Sequence, residues 1–371
     1  MALSLGHLFL QTILIASWTP TGSKARLVAS LTLPATWACQ MYLVQSFCPL
    51  LLAQILAGNI LSPACFCLFY YVCLTNKIDA AVPHSFMKST WTDLLCVVKN
   101  VLCAVRGIPP LRSTRRMLDG PEKVRFGCHL ILRFAGNFLI PEVTWLLGRW
   151  WFGAGTPEWQ RLLAPGTEWL VFGESSRQLQ ARLVATVGFW LVTYVTVDFL
   201  DCFLLAVLVL VDGSVPDTWP PLFGRLEQAY SVRRFWGKFW HQLLHEPLVG
   251  SARAIVARMP HWRKKELRVL FTFCVFFLSG VTHGVTDYVY WTTAGVHTLP
   301  VLRFFCSCAL ALVVETIFTG ACGITQKKAV VSPWEKSAGY LWVFSFLLYT
   351  TPPLVWPTLR VLETENKRLL V

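Results

Sequence analysis

The residue of this sequence best suited to chemistry is a histidine in the middle of an apolar run. His283 lies in Leu278-Ser-Gly-Val-Thr-His-Gly-Val-Thr-Asp287, where Gly280 and Gly284 flank it with small surfaces and Ser279 and Thr282 add hydroxyls. The two glycines imply open space beside the ring. A neutral imidazole has an unperturbed pKa of about 6.5 and can take a proton from a substrate hydroxyl with little tuning. Asp287 follows four residues later over the same helical face and is placed to hold the other ring nitrogen. Two readings stand side by side: a general base oriented by a carboxylate, or a buried histidine bonded to a neighbouring helix. Other ionisable residues share apolar runs, namely Arg133, Asp198, Asp201, Arg303 and Glu315. Each costs about 2.5–3.5 kcal/mol to place in a bilayer, so each needs a partner or a role. Arg303 and Glu315 read as pairing groups inside a bundle. Asp198 and Asp201, three apart on one helical face, either pair with cations or line a polar cavity.

A second constellation is Ser231-Val-Arg-Arg-Phe-Trp-Gly-Lys-Phe-Trp-His-Gln242. Read as a helix, it has Ser231 as N-cap. Phe235, Trp236, Phe239, Trp240 and Leu243 then form an aromatic face, and Arg234, Lys238, His241 and His245 a basic one. Such a segment is expected to lie in the membrane interface, aromatic side down. An interfacial anchor explains most of this pattern. It leaves the pairing of His241 with Gln242 unexplained, and also the turn-forming Trp219-Pro-Pro-Leu-Phe-Gly224 just upstream.

What must position these residues is a membrane bundle. Of the 371 residues, 55% are hydrophobic and only 14% charged, and mean hydropathy is +0.52. Soluble domains carry about 25% charged residues to cover their surface. A span needs about 17–25 mostly apolar residues. Eight stretches are candidates: Ser4 to Trp18, Leu27 to Phe47, Leu50 to Leu74, Phe126 to Leu147, Leu183 to Val211, Val269 to Trp291, Val296 to Thr319 and Ala338 to Thr358. The first is the shortest and also fits a re-entrant segment, so seven to nine spans are compatible with the pattern. The 17 Trp, 25 Phe and 9 Tyr suit interfacial belts. The expected fold is an all-α, polytopic transmembrane bundle forming one integral membrane domain over 1–371.

The net charge of +13 sits in the loops. Twenty-four of the 33 Lys and Arg fall in the four connections after odd-numbered spans, which puts those loops in the cytosol. The two large cytosolic segments are therefore 75–125 and 212–268. This distribution argues for membrane topology and an anionic partner, not nucleic acid. The 13 cysteines lie mostly in apolar runs, without CxxC pairs or metal-ligand spacing, and read as small buried hydrophobes. No metal site is expected.

Asp217-Thr-Trp-Pro-Pro-Leu-Phe-Gly224, followed by the Ser231–Gln242 block and by a histidine 42 residues after His241, resembles the signature of the fungal wax-synthase-like branch of the membrane-bound O-acyltransferases. The stretch from Trp91 to Arg106-Gly107-Ile108 resembles that family's Trp-rich approach to an RGIGW-like turn, with Pro109 and Pro110 departing from it. The likeness covers about residues 90–290. It implies transfer of an acyl group from coenzyme A to a hydroxyl, with no bound cofactor, no metal and no covalent enzyme intermediate. It also implies His283 as the catalytic histidine and His241 as the second catalytic residue, with Asp287 and Gln242 in support. Acetyl transfer to a terpenoid or meroterpenoid alcohol is the expected activity, and long-chain wax or sterol ester synthesis the alternative. The expected location is the endoplasmic reticulum, with acyl-CoA, an apolar alcohol and the bilayer as partners.

The charge pattern fits this chemistry independently. The segment Asp212 to Arg268 carries ten basic and five acidic residues and suits a polyanionic thioester arriving from the cytosol. Arg233, Arg234 and Lys238 are the candidates for its phosphates, with Trp236 and Trp240 beside them. The same charges also serve simply to set topology. A transporter for an organic anion, with His283 as proton relay, is the rival from another class. It calls for inverted repeats and paired broken helices, and the sequence shows neither.

Overall fold

The computed structural model describes residues 2–20, 22–47, 51–75, 115–117, 120–153, 156–169, 175–212, 214–216, 221–259, 261–293, 300–321 and 331–369. The Trp91–Ile108 stretch and most of segment 75–125 lie outside the described residues. Helices dominate: α1 (Ala2–Trp18), α2 (Lys24–Ser30), α3 (Thr32–Phe47), α4 (Leu51–Cys73), α5 (Gly120–Phe152), α6 (Pro157–Leu162) and α7 (Ser176–Asp212). They continue with α8 (Val232–Arg234), α9 (His245–Val256), α10 (Lys264–Thr293), α11 (Pro300–Ala321), α12 (Pro333–Thr350) and α13 (Pro352–Leu369). One short antiparallel pair joins β1 (Arg115–Met117) to β2 (Ser214–Pro216), with Arg116 opposite Val215. The described residues of each of the eight expected apolar stretches are mainly helical. Six stretches among the described residues are long and apolar enough to cross a membrane: Lys24–Val44, Gly120–Phe152, Ser176–Phe203, Lys264–Gly284, Pro300–Ala321 and Pro333–Val361. The protein is an integral membrane protein.

Two compact units divide the chain, each assembled from three segments that alternate along the sequence. The first takes residues 1–117, 208–221 and 242–306. Its core gathers Leu8 and Ile13 of α1, Leu33 and Met41 of α3, and Leu61, Leu68 and Tyr71 of α4 around Leu244 and Leu248. Arg26 is almost fully buried there. Its guanidinium donates to the Ala16 carbonyl (3.0 Å) and to Thr19 Oγ1 (3.2 Å), at the end of α1 where carbonyls lack helical partners. Gly250 in α9 faces Tyr70 so closely that any Cβ would overlap the phenol ring, which draws α9 against the end of α4.

The second unit takes residues 118–207, 222–241 and 307–371. Helices α5 and α7 are joined by an ion pair between Arg133 and Asp198, and Asn137 Nδ2 adds a hydrogen bond to Asp198 Oδ2 (3.0 Å). Asp198 is thus a pairing group, as one of its two readings held. The connection after α5 is tied to α13. Trp356 Nε1 donates to the Leu162 carbonyl (3.0 Å), and Arg360 bonds the Leu163 carbonyl (2.9 Å) and pairs with Glu168 (3.2 Å). Arg182, fully buried, donates to the carbonyls of Thr167 (2.9 Å) and Glu168 (3.1 Å).

Within each unit, further contacts tie helix ends to distant connections. Arg360 with Glu168 joins the end of the eighth stretch to the connection after the fourth. Tyr340 Oη, donating to the Leu226 carbonyl (3.2 Å), joins the start of the eighth to the connection after the fifth. In the first unit, Gly250 against Tyr70 and β1 against β2 each join the connection after the fifth to the end of the third or the connection after it.

Candidate active site

The Ser231–Gln242 block starts as expected and then departs from a plain helix. Ser231, extended at φ −154°, accepts the Arg234 N–H on Oγ (3.2 Å) and caps one α-helical turn, α8. Phe235–Phe239 then form a π-turn, closed by Trp240 N–H donating to the Phe235 carbonyl (2.7 Å). In an α-helix, positions five apart point to different sides, because each residue turns about 100°. Here the wider turn lets the Phe235 and Trp240 rings stack nearly parallel, 5.6 Å apart and 16° inclined. π-turns of this kind are frequent at functional sites.

Gly224, the last residue of the Trp-Pro-Pro-Leu-Phe-Gly stretch, fits beneath this turn. Its N–H donates to the Phe239 carbonyl (2.8 Å), and a Cβ at this position would collide with the Lys238 carbonyl oxygen. Phe223 beside it meets Trp240 edge-on (5.4 Å) and His241 edge-on (6.0 Å). The upstream motif is therefore a platform for the downstream one.

The block does not lie flat in the interface, as its aromatic pattern suggested. Val232, Phe235 and Trp240 are buried within the second unit. At one end, a Cβ on Gly339 in α12 would collide with the Tyr230 carbonyl. At the other, Trp190 of α7 meets Trp240 (4.8 Å), Phe235 (5.6 Å) and Trp236 (6.0 Å) edge-on, and its Nε1–H donates to Thr351 Oγ1 (3.0 Å). Gly339 and Thr351 are about 18 Å apart at 1.5 Å per helical residue. The block therefore descends along α12 within the second unit, with His241 at its far end. An aromatic face is satisfied equally by lipid headgroups or by other aromatic rings, and here rings cover it. Thr351 is available because Pro352 and Pro353 break the helix between α12 and α13.

The basic residues of the block divide by their contacts. The Arg233 backbone N–H donates to Glu315 Oε2 (3.3 Å) and its guanidinium to Thr316 Oγ1 (2.9 Å), both on α11. Glu315, expected as a pairing group, here accepts a backbone N–H. Arg234 lies over the Tyr230 ring at 4.5 Å, with Lys336 also over that ring at 5.9 Å. Lys238 is exposed. Two of the three phosphate candidates are therefore engaged by the fold itself.

His283 belongs to the first unit, nineteen residues into α10 from Lys264, or about 28 Å along the axis. Its ring stacks on Phe305 of α11 (5.5 Å, 11°). The space expected beside Gly280 is filled: a Cβ there would press on Leu302 Cδ1 at 2.9 Å and Phe305 Cβ at 3.2 Å. Glycine in a span signals close helix approach as readily as room, and here it lets α11 against the histidine. Thr282 Oγ1 returns its proton to the Leu278 carbonyl (2.8 Å), so that hydroxyl serves its own helix. Asp287 continues α10, but its side chain lies outside the described residues. Gln242 opens the 242–306 segment of the first unit, where its carbonyl accepts the His245 N–H (3.2 Å). His241, Arg233, Arg234, Lys238, Trp236 and Trp240 are together in the second unit, and His283 and Gln242 are in the first. Trp190 and Thr351 were missed by sequence reasoning.

Residues 219–307 match the profile of the membrane bound O-acyl transferase family, the segment that holds both histidines. The chain is 33% identical over 209 residues to Acetyltransferase pyr8 of Aspergillus fumigatus, an alignment covering 54% of this chain and 47% of that protein. It is 30% identical over 201 residues to Acetyltransferase spyB of the same organism (49% and 33%). With Acetyltransferase ataH of Aspergillus terreus it shares 28% over 279 residues (70% and 88%). The matched region spans about a third of the length of spyB and about half that of pyr8 and of Acetyltransferase TRI7 from Fusarium sporotrichioides (46%).

Proposed function

From the membrane bound O-acyl transferase pattern that residues 219–307 carry, we propose that this protein transfers an acyl group from acyl-CoA to the hydroxyl of an apolar alcohol. The donor is acetyl-CoA, in keeping with the names of the similar acetyltransferases, and the acceptor a terpenoid or meroterpenoid of secondary metabolism. The membrane is that of the endoplasmic reticulum. The observation that carries this reading is the folding of the signature block into the second unit, with His241 at the end of a π-turn held by Gly224 and by Trp190.

In the proposed reaction the His283 imidazole takes the proton from the acceptor hydroxyl as its oxygen attacks the thioester carbonyl. The tetrahedral oxyanion is stabilised by a donor, the role assigned to His241 with Gln242 in support. When the intermediate collapses the carbon–sulfur bond breaks, and coenzyme A leaves with the proton returned from the imidazolium. A positioned general base contributes about 10² to 10⁴ in rate. Asp287, one helical turn beyond His283, is proposed to orient the ring. Lys238 is the proposed phosphate contact, joined by Arg234, Trp236 and Trp240 at the same block.

Microsomes containing the protein, supplied with acetyl-CoA labelled in the acetyl group and a panel of terpenoid alcohols, test the reading. Coenzyme A release that depends on an alcohol, with label recovered in an ester, is the expected result. Ester formation only with long-chain acyl-CoA would move the assignment to wax or sterol ester synthesis. Uptake of an organic anion into sealed vesicles without any ester would replace it by transport.

A further inference from the structure

Helix α10 presents a second face. Val269, Phe273, Phe277 and Val281 recur every four residues and are exposed by 51%, 42%, 42% and 38%. Phe273 and Phe277 stack nearly parallel, 6.2 Å apart and 16° inclined, so the stripe is a smooth apolar strip along the helix. One turn before Val269, on the same face, stands Lys265. Around it are Arg258, Arg263, Lys264 and Arg268, all exposed, and Glu266 is the only acid between residues 257 and 268. The turn bearing them is held by backbone bonds from Met259 N–H to the Val256 carbonyl (3.0 Å) and from Trp262 N–H to the Met259 carbonyl (3.3 Å). Glu266 accepts the Arg263 backbone N–H (3.2 Å). Among the described residues, none of these five cations is in an ion pair.

Five mutually repelling charges in eleven residues need counter-charge, and the geometry states its form. An anion alone would be served by the charges. A charge cluster that crowns an exposed apolar strip fits a molecule with an anionic head and apolar chains. Trp262, exposed by 48% within the cluster, has the amphipathic ring found where headgroups meet hydrocarbon. We propose that this face of α10 binds an anionic phospholipid, with its phosphate and head charge at Lys264, Lys265 and Arg268 and its chains along Val269–Phe273–Phe277–Val281. The site is separate from the catalytic assignment: it belongs to the outer surface of the helix whose other side holds His283 against Phe305.

Thermal unfolding of the detergent-purified full chain tests this without any acceptor substrate. Dioctanoyl phosphatidylserine should raise the unfolding temperature, because a ligand that binds only the folded state stabilises it. Dioctanoyl phosphatidylcholine and chain-free glycerophosphoserine should not. The triple variant Lys264→Gln/Lys265→Gln/Arg268→Gln should need roughly 100-fold more phosphatidylserine for the same shift, at about five-fold per charge. Its unfolding temperature without lipid should match that of the unsubstituted protein, and Lys264→Arg/Lys265→Arg should keep the lipid response. Equal stabilisation by phosphatidylcholine would overturn the proposal, as would no shift with phosphatidylserine or an undiminished shift in the triple variant. A shift with coenzyme A that the triple variant abolishes would make the cluster a free-phosphate site and would overturn it also.

Discussion

Trp190 and Thr351 meet through a 3.0 Å hydrogen bond from indole Nε1 to Oγ1, linking the middle of α7 to the break between α12 and α13. Thr351 is fully buried. The Trp190 ring is also the floor on which Trp240 and Phe235 rest edge-on. One side chain thereby joins two long helices and carries the loop that ends in His241.

Trp190→Phe removes the donor and keeps most of the ring, and Thr351→Val removes the acceptor with little change of volume. Each should lower stability by about 1 kcal/mol, the usual net worth of such a bond. The double variant should lose about the same as either single one, since both delete one interaction. Chemical unfolding in detergent, read as a double-mutant cycle, measures this. Strictly additive losses would show that the bond contributes nothing of its own.

Gly224→Ala inserts a methyl where the Lys238 carbonyl already sits, so the platform under the π-turn must shift. Backbone cannot yield as a flexible side chain can, and overpacking costs about 1–3 kcal/mol. Turnover should fall at least ten-fold while the protein still inserts into membranes. Gly237→Ala, with nothing near its Cβ position, is the control that should stay active.

His283→Ala should lose at least about two orders of magnitude in kcat, the lower end of what a positioned base supplies. Acetyl-CoA binding, followed by equilibrium dialysis, should persist. His241→Ala should also cut kcat severely, by about 10² if it donates to the oxyanion. Full turnover in a well-folded His283→Ala protein would remove the base assignment, and full turnover in His241→Ala would leave that residue as packing against Phe223.

The basic block should split under mutation. Lys238→Gln should raise KM for acetyl-CoA with kcat nearly unchanged, because a phosphate contact serves ground and transition states alike. Arg233→Gln instead loses its bond to Thr316 on α11 and should show in thermal stability before it shows in KM. Michaelis parameters and unfolding temperatures measured on the same preparations separate the two effects.

Much of this was legible in the sequence, for identifiable reasons. Apolar runs as long as a bilayer is thick gave the helices, because hydropathy follows from solvation of single residues. Asp198 was readable as a pairing group since a bilayer disfavours lone charges, although its partner Arg133 was not. The descent of the signature block was hidden. An aromatic face looks the same whether it meets headgroups or Trp190, and only tertiary packing decides between them. Gly280 misled in the same way, because absence of a side chain records a close neighbour as well as an empty space. Trp190 and Thr351 gave no local signal at all: they are 161 residues apart, and neither belongs to a motif.

The alternating segments also set an order of events during synthesis. A ribosome releases Trp240 about 110 residues before Thr351, a delay of roughly 5–20 s at ordinary elongation rates. Throughout that interval the nascent Phe235–Trp240 turn has α7 beneath it but neither Glu315 nor the α12 wall to close around it. Half-made, it offers a cluster of bare indole and phenyl rings to the translocon and to whatever chaperones attend it. Nonsense mutations downstream of α10 should therefore send the chain to quality-control degradation, even though both histidines have already been translated.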